Sequence, residues 1–200
     1  APDFSNMIPA RLTGKPFWDL YLYNDPPIWE AYIDCAKYFD IDALMDGYFG
    51  VRFPEEINTD GPEWEQYIVF RNEERIITQR AYSENSRMHW ADTVDVFYVA
   101  DSPTRGVDPA KIGLPPVPET WEPVEEVKPV DHSPEGLKHV MDLMGDQGLV
   151  GIRLASTIAL RNEEDIFNFY DNPHKHEQWA AERVEAVEKR FELIMGMETK

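Results

Sequence analysis

The first fifty residues alternate between strand-like and helix-like spacings of apolar positions. In PFWDLYLY (16–23) the side chains divide between two faces at a period of two, which predicts a first strand. NDPP then supplies a cap and first-turn prolines, and apolar residues recur at helical spacing, so 26–39 is predicted to be an amphipathic helix. IDALMDGYF (41–49) predicts a second strand. This βαβ order predicts a right-handed crossover into a parallel sheet.

The middle of the chain follows a different pattern. EWEQYIVFR (63–71), RIITQRAY (75–82) and TVDVFYV (93–99) alternate apolar with polar residues and are separated by NEE and SENSR. This pattern predicts an antiparallel meander. Residues 101–134 follow with half of the 16 prolines. A long Pro-rich connection within a compact domain is usually a lid, a binding loop or an arm that covers a partner.

The helix and strand alternation resumes in the last third of the chain. Ser133 and Pro134 begin a predicted helix, and the apolar run GLVGIRLASTIAL (148–160) is typical of a strand buried on both faces. A short helix is predicted from Asn162 to about Tyr170, and a longer one begins at 172–173. The predicted buried stripe of that longer helix is Trp179, Val184, Val187, Phe191 and Ile194.

The number of predicted parallel strands is too small for a closed barrel. Three or four are found when one strand of the meander is included, whereas a (β/α)8 barrel needs eight strands and about 250 residues. The sequence therefore predicts part of a barrel, as one domain over residues 1–200. The missing strands are expected outside this chain, in a C-terminal half or in a second chain that closes the barrel.

The composition is that of a folded and strongly acidic protein. Lys and Arg total 19 against 38 Asp and Glu, for a formal net charge of −19. Such a charge repels phosphate backbones and anionic lipids, so neither nucleic acid nor a membrane surface is an expected partner. Polyanionic small molecules are also disfavoured, unless a local cluster of arginines overrides the field.

Cysteine usage and hydropathy bear on the cellular setting. Cys35 is the single cysteine, which excludes an internal disulfide and favours a reducing, cytoplasmic location. No apolar stretch reaches the roughly 20 residues of a membrane span, and the first fifteen residues lack the apolar core of a signal peptide. We therefore expect a soluble protein that is not exported.

Five segments resemble the uroporphyrinogen decarboxylase family of TIM barrels. GLVGIRLASTIAL is similar to that family's Gly-x-x-Gly-x-Pro-Phe/Trp-Thr-Leu strand, and FYDNPHK (169–175) looks like its helix junction. KPFWDLYLY and DIDALMDGYF stand where its first two barrel strands would lie, and the meander resembles the β-ribbon inserted in its methyltransferase-like branch. The resemblance implies an α/β fold, namely the N-terminal portion of such a TIM (β/α)8 barrel. The ribbon would span about 63–99 and the Pro-rich connection about 101–134.

Departures from the family pattern favour one of its branches. The decarboxylases carry an Arg-Gln-Ala-Gly-Arg segment that clamps substrate carboxylates, whereas the equivalent stretch here is LYLYNDPP. Their catalytic aspartate follows Phe-Ser, whereas Asp46 precedes Gly47. The resemblance thus implies methyl transfer between a small methylated substrate and a corrinoid (cobalamin) protein. The alternatives are uroporphyrinogen decarboxylation in porphyrin biosynthesis, with Asp46 as the acid, and a non-catalytic barrel fragment or binding subunit.

The cofactors come from the resemblance alone. The methyltransferase-like branch holds zinc through a His-x-Cys pair and a later Cys, and none of these positions exists in this chain. No metal ligand is therefore assigned here. The resemblance implies that zinc would be bound outside this chain and that cobalamin would be carried by a partner corrinoid protein.

Chemistry in a parallel barrel gathers at the carboxyl ends of its strands. That rule selects Tyr21, Tyr23 and Asn24 after the first predicted strand as substrate-binding candidates. It also selects Asp46 and Tyr48 after the second strand. The tyrosines could instead pack or form structural hydrogen bonds. Asp46 is either a general acid/base or a turn residue.

Three further residues complete the candidate substrate-binding set. Ser156 lies late in the apolar run, and Arg153 lies within it, where an unpartnered charge would be costly. Arg153 either forms a structural ion pair or binds an anion in the pocket. His89, beside Trp90, is the histidine considered for a pocket, and a structural role is its alternative.

Overall fold

The computed structural model describes residues 7–44, 63–125, 127–128, 131, 133–152 and 163–196. The chain divides into two compact units. Ala1–Asp42 and Ile57–Val130 make the first unit, and Ala43–Glu56 and Asp131–Lys200 make the second unit.

The first unit contains a five-stranded antiparallel sheet. Its strands are β2 (Glu65–Arg71), β3 (Arg75–Glu84), β4 (Arg87–Tyr98), β5 (Thr104–Val107) and β6 (Glu122–Pro123). Their spatial order is β5-β4-β3-β2-β6. The predicted meander is confirmed, because β3 pairs antiparallel with both β2 and β4. The Pro-rich connection contributes the two edge strands, since β5 pairs with β4 and β6 pairs with β2.

Three helices precede the sheet in the first unit: α1 (Ile8–Leu12), α2 (Phe17–Leu22) and α3 (Ile28–Tyr38). The helix predicted over 26–39 is therefore confirmed by α3. Helix α2 is apolar on two sides. Its Phe17 and Leu20 form a buried cluster with residues of α1 and α3, and its Leu22 packs against sheet residues. Because both sides of α2 are buried, the helix holds one face of the sheet to α1 and α3.

The opposite face of the sheet is covered by the Pro-rich connection. Buried Ile77, Val94 and Val96 pack there with the partly buried Ile112 and Leu114. A short 3₁₀ turn at Pro109–Ile112 begins where the Asp108 carboxylate accepts a hydrogen bond from the Ala110 N–H at 2.9 Å. This part of the connection is thus a layer of the protein's own core.

The second unit combines helices with one short parallel pair. β1 (Ala43–Leu44) pairs in parallel with β7 (Leu149–Val150). The three helices predicted after residue 132 are confirmed. Buried Leu137, Val140 and Met144 line one side of the first of them, whose N-cap is Ser133. The helices are α4 (Pro134–Met144), α5 (Glu163–Asp171) and α6 (Pro173–Met195).

The predicted barrel portion is wrong, because the main sheet is open and antiparallel. The segment predicted as the first barrel strand, 16–23, forms α2 instead. Its apolar residues pack on two sides, and a continuous apolar run does not distinguish a buried helix from a strand. Leu149 in the apolar run is 73% exposed, contrary to burial on both faces. Residues 153–160 of that run lie outside the described residues.

The predicted buried stripe of α6 is also wrong. Trp179, Val184 and Phe191 are each more than half exposed. Val187 and Ile194 are partly buried. The helical period was right, but periodicity indicates only which side chains share a face and does not supply a surface to pack against.

The hydropathy of the helices bears on whether any of them could span a membrane. Among the described helices, none has the length and the apolar character that crossing a bilayer requires.

Candidate functional site

One face of the sheet carries polar side chains at positions fixed by strand register. Side chains alternate between the two faces of a strand, so Thr78, Arg80 and Tyr82 of β3 share a face. Register places Gln66 of β2 opposite Arg80, and Asp95 of β4 opposite Thr78. Helix α2 covers the Ile68, Ile76 and Phe97 end of this same face.

A cavity of about 410 Å³ opens on this face of the sheet. We call it the arginine cleft, because two arginines lie among its lining residues. It belongs entirely to the first unit. The cleft is lined by Trp64, Thr78, Arg80, Ala91, Thr93, Asp95 and Arg105.

A bulge in β4 forms one wall of the arginine cleft. Between the pairs Gln79–Val94 and Ala81–Trp90, β4 carries extra residues that include Ala91. Gln79 is only 2% exposed. Its side-chain Nε2 donates to the Ala91 carbonyl at 2.6 Å and to the Pro116 carbonyl at 3.3 Å. Bulges redirect side chains and are frequent beside functional sites. Gln79 therefore holds the bulge from the opposite face of the sheet.

The two arginines of the cleft differ in their partners. Arg105 forms an ion pair with Asp95 at 3.0 Å, and its guanidinium lies 5.2 Å from the centre of the Phe97 ring. The other oxygen of the Asp95 carboxylate accepts the Gly106 N–H at 3.0 Å. Arg80 is exposed, and among the ion pairs of the described residues none includes Arg80. The cleft thus keeps one positive charge that no described carboxylate neutralises.

The floor of the cleft is held by a hydrogen bond between side chains. Gln66 Nε2 donates to Thr78 Oγ1 at 2.7 Å. Thr78 is buried, so this contact satisfies a polar group that would otherwise be costly to bury. The floor is therefore rigid, whereas Arg80 above it is free to meet solvent or a ligand.

An aromatic row continues the same face beyond Arg80. Tyr82 pairs with His89 across β3 and β4, and their rings stack with centres 4.9 Å apart. Trp64 meets Tyr82 edge to face at 4.7 Å. His89 also lies 3.8 Å from a Glu84 carboxylate oxygen. The predicted pocket histidine is thus one of three stacked or edge-to-face rings beside the arginine cleft.

The structure places the predicted Tyr21, Tyr23 and Asn24 at the end of α2 rather than after a strand. Arg71 donates to the Tyr23 hydroxyl at 3.2 Å, and the Asn24 amide donates to the Lys128 carbonyl at 2.7 Å. These contacts tie α2 to the sheet and to the segment after β6. Both contacts are structural hydrogen bonds, which is the alternative stated above for the tyrosines.

Tyr21 lies closer to the arginine cleft. Burial raises the pKa of its phenol, while a hydrogen bond with Ser102 and the positive charge of Arg105 act in the opposite direction. The electrostatic effect of Arg105 connects Tyr21 to the cleft. The hydroxyl of Tyr21 stays protonated at neutral pH, because its pKa is raised from an ordinary value that already lies well above 7.

Neighbouring Asp25 anchors the same corner of the first unit. Lys128 and Lys15 lie 2.6 Å and 3.0 Å from its carboxylate oxygens. Hydrogen bonds from Lys128 and then from Lys15 lower the pKa of Asp25 below its ordinary value. This exposed cluster fixes the chain after α2, and its charges neutralise one another in part.

Four predicted site residues, Asp46, Tyr48, Arg153 and Ser156, lie outside the described residues. Across the described part of the chain, no three His, Cys, Asp or Glu side chains cluster so as to hold a metal ion. No reaction step is assigned to zinc.

Arg80, Arg105 and Trp64 line the cleft but are not among the site residues predicted from the sequence. A signal for Arg80 was present in RIITQRAY, where Thr78, Arg80 and Tyr82 stand two apart on the polar side of an alternating strand. Arg105 gave no such signal. It stands in the Pro-rich connection, and only the pairing of β5 with β4 places it beside Asp95.

Comparisons with family models, with curated proteins and with solved structures find no match for this chain. The site is therefore interpreted from its own geometry.

Proposed function

We propose that the first unit binds a small anionic molecule in the arginine cleft. The observation that carries the proposal is Arg80, a guanidinium on the cleft rim that takes part in no ion pair of the described residues, in a chain of net charge −19. Arg11, Arg75 and Arg87 likewise take part in no ion pair of the described residues, but Arg80 lines a cavity together with a second guanidinium. An anionic ligand would supply Arg80 with a partner.

The chemistry of the lining favours an oxyanion such as a carboxylate. Guanidinium groups present planar forks of N–H donors that match carboxylate and phosphate oxygens. Asp95 occupies one side of the Arg105 fork at 3.0 Å and leaves further donors for a ligand. The ion pair also orients Arg105, so less side-chain entropy is lost when an anion binds.

The small size of the cleft limits the size of the ligand, and the charge of the chain limits the number of negative charges that the ligand carries. A cavity of about 410 Å³ is of the size that holds a small molecule. The net charge of −19 repels extended polyanions. The proposal is therefore binding of a small acid that carries one or two negative charges.

Replacing Arg80 by glutamine tests this proposal. We expect Arg80→Gln to weaken acetate binding by roughly tenfold to a hundredfold, because a charge-assisted hydrogen bond contributes about 1.5–3 kcal/mol. Two-dimensional NMR titration of the whole chain with acetate, and separately with inorganic phosphate, measures the affinity and shows which amides respond.

The matched control is Arg11→Gln, because Arg11 is an exposed arginine of α1 in the same unit. This variant makes the same change in net charge and is expected to bind acetate like the unchanged protein. Equal affinity of the Arg80→Gln variant and the unchanged protein would refute the proposal, as would amide shifts confined to residues away from the cleft.

A second candidate is methyl transfer between a small methylated substrate and a corrinoid protein. It is supported by the parallel pairing of β1 with β7 in the second unit. Carboxyl ends of parallel strands meet at one edge, which is where parallel α/β proteins place ligands. Asp46 follows β1 by two residues, and Arg153 follows β7 by three. In this proposal Asp46 acts as the acid/base and cobalamin is carried by the partner.

Methyl exchange with a methylated corrinoid protein tests the second candidate. The corrinoid absorbance is expected to change when a methyl acceptor is added, and Asp46→Asn is expected to abolish that change. Asp42→Asn is the control, because Asp42 is an exposed acid next to β1. Absence of exchange over a broad panel of donors and acceptors would count against methyl transfer. Formation of coproporphyrinogen would instead favour the decarboxylase alternative.

A further inference from the structure

We infer that the ligand of the arginine cleft is an aromatic carboxylate, with its ring on the aromatic row and its carboxylate on Arg80. This inference rests on the proposed anion binding and adds the chemical class of the ligand. The row consists of Trp64, Tyr82 and His89, which share the face of the sheet that carries Arg80.

Strand geometry sets the distance between the residues that would contact the carboxylate and the ring of the ligand. Arg80 and Tyr82 are two residues apart on β3, so their side chains leave the sheet about 6.6 Å apart. Trp64 lines the cleft itself and also meets Tyr82 edge to face. An acid whose ring and carboxylate are separated by two or three carbons spans this distance.

Exposure and position together distinguish Trp64 from an ordinary core residue. Trp64 is 44% exposed although its indole contacts Tyr82 and lines a cavity. On the opposite face, Trp121 is 46% exposed, and it meets the rings of Tyr67 and Trp90. Of these two equally exposed tryptophans, Trp64 is the one that lines the arginine cleft.

Charge complementarity favours an aromatic acid over a neutral ring such as a sugar. Stacking on Trp64 alone would hold either ring, but only an anion would form an ion pair with Arg80, which has none among the described residues. The same guanidinium repels a cationic ring. The combination of this arginine with a partly exposed aromatic row on one face therefore favours an aryl-substituted acid.

The test compares 3-phenylpropionate with propionate and with 3-phenylpropanamide, each titrated into the whole chain and followed by NMR. We expect 3-phenylpropionate to bind about threefold to tenfold more tightly than propionate, in line with the energy of one aromatic contact. Trp64→Leu is expected to remove that advantage, so that the variant binds 3-phenylpropionate and propionate with similar affinities. Trp64→Phe is expected to keep part of it, and Trp121→Leu to keep all of it.

The outcomes distinguish this inference from the proposed anion binding on which it rests. Equal affinities for the two acids would overturn the inference while anion binding stands. Tighter binding of the amide than of the aromatic acid would overturn the inference and would also contradict anion recognition by Arg80. Binding of neither acid would overturn both. If Trp64→Leu fails to fold by near-UV circular dichroism, Trp64→Phe against Trp121→Phe decides. Equal loss of the aromatic advantage in those two variants would again overturn it.

Discussion

Replacing Phe97 by alanine is expected to lower the free energy of unfolding by about 3–5 kcal/mol, the range for removing a buried phenyl ring. Phe97 is 1% exposed. It lies on β4 where Leu22 of α2 packs against Ile68 and Ile76. The ring also lies under the Arg105 guanidinium. Its removal would leave a cavity between α2 and the sheet and would loosen one arginine of the cleft.

Chemical denaturation followed by tryptophan fluorescence measures this loss. The control is Phe167→Ala, because Phe167 is an exposed phenylalanine of α5 in the second unit. That change is expected to stay within about 0.5 kcal/mol. Equal effects of the two substitutions would contradict the packing of α2 on an antiparallel sheet, and with it the architecture that positions the cleft.

Replacing Gln79 by leucine is expected to cost about 1–3 kcal/mol of stability and to weaken acetate binding. Leucine has a similar volume but donates no hydrogen bond to the Ala91 and Pro116 carbonyls. The two hydrogen bonds that would be lost contribute about 0.5–1.5 kcal/mol each. Because Ala91 belongs to the bulge that walls the cleft, a relaxed bulge would also displace the lining of the site.

Gln79→Glu gives a second measurement with a distinct pH dependence. A carboxylate facing two carbonyl oxygens is repelled, and only its protonated form donates a hydrogen bond, so its pKa in the folded state would rise above about 4.3. Stability contributed by the proton is present below that value and is lost as pH rises. Gln79→Glu should therefore be more destabilising at pH 7 than at pH 4.

Urea unfolding at the two pH values checks this expectation, with Gln178→Leu as the control for the leucine change. Gln178 is exposed on α6, where its amide contacts Glu182. A stability of the Gln79→Leu variant equal to that of the control would mean that Gln79 does not hold the bulge. A pH-independent effect of Gln79→Glu would lead to the same conclusion.

The sequence predicted local elements well where one periodicity dominated. Alternation over 63–99 predicted the meander that β2, β3 and β4 form. Helical spacing predicted α3, and Ser133 correctly marked the start of α4. In α3 and α4 the apolar residues recur at the helical period, and in the strands polar and apolar residues alternate, so the residue order carries the period of each element.

The same reasoning failed for α2 because two of its faces are buried. Phe17 and Leu20 face the other helices, whereas Leu22 faces the sheet. Apolar residues therefore stand at nearly every position, and neither period dominates. The strand predicted there suggested a parallel sheet, and the barrel followed from that error.

By itself, the sequence determined the acidic character of the chain and the alternating faces of its strands. It also singled out His89, which the structure places in the aromatic row. Only the tertiary structure decided the topology of the sheet and the convergence of Trp64, Arg80 and Arg105. These residues come from three segments separated by turns and by the Pro-rich connection. Register and sheet order depend on the summed packing of all strands. The convergence of these residues in the cleft therefore cannot be read from any single stretch of sequence.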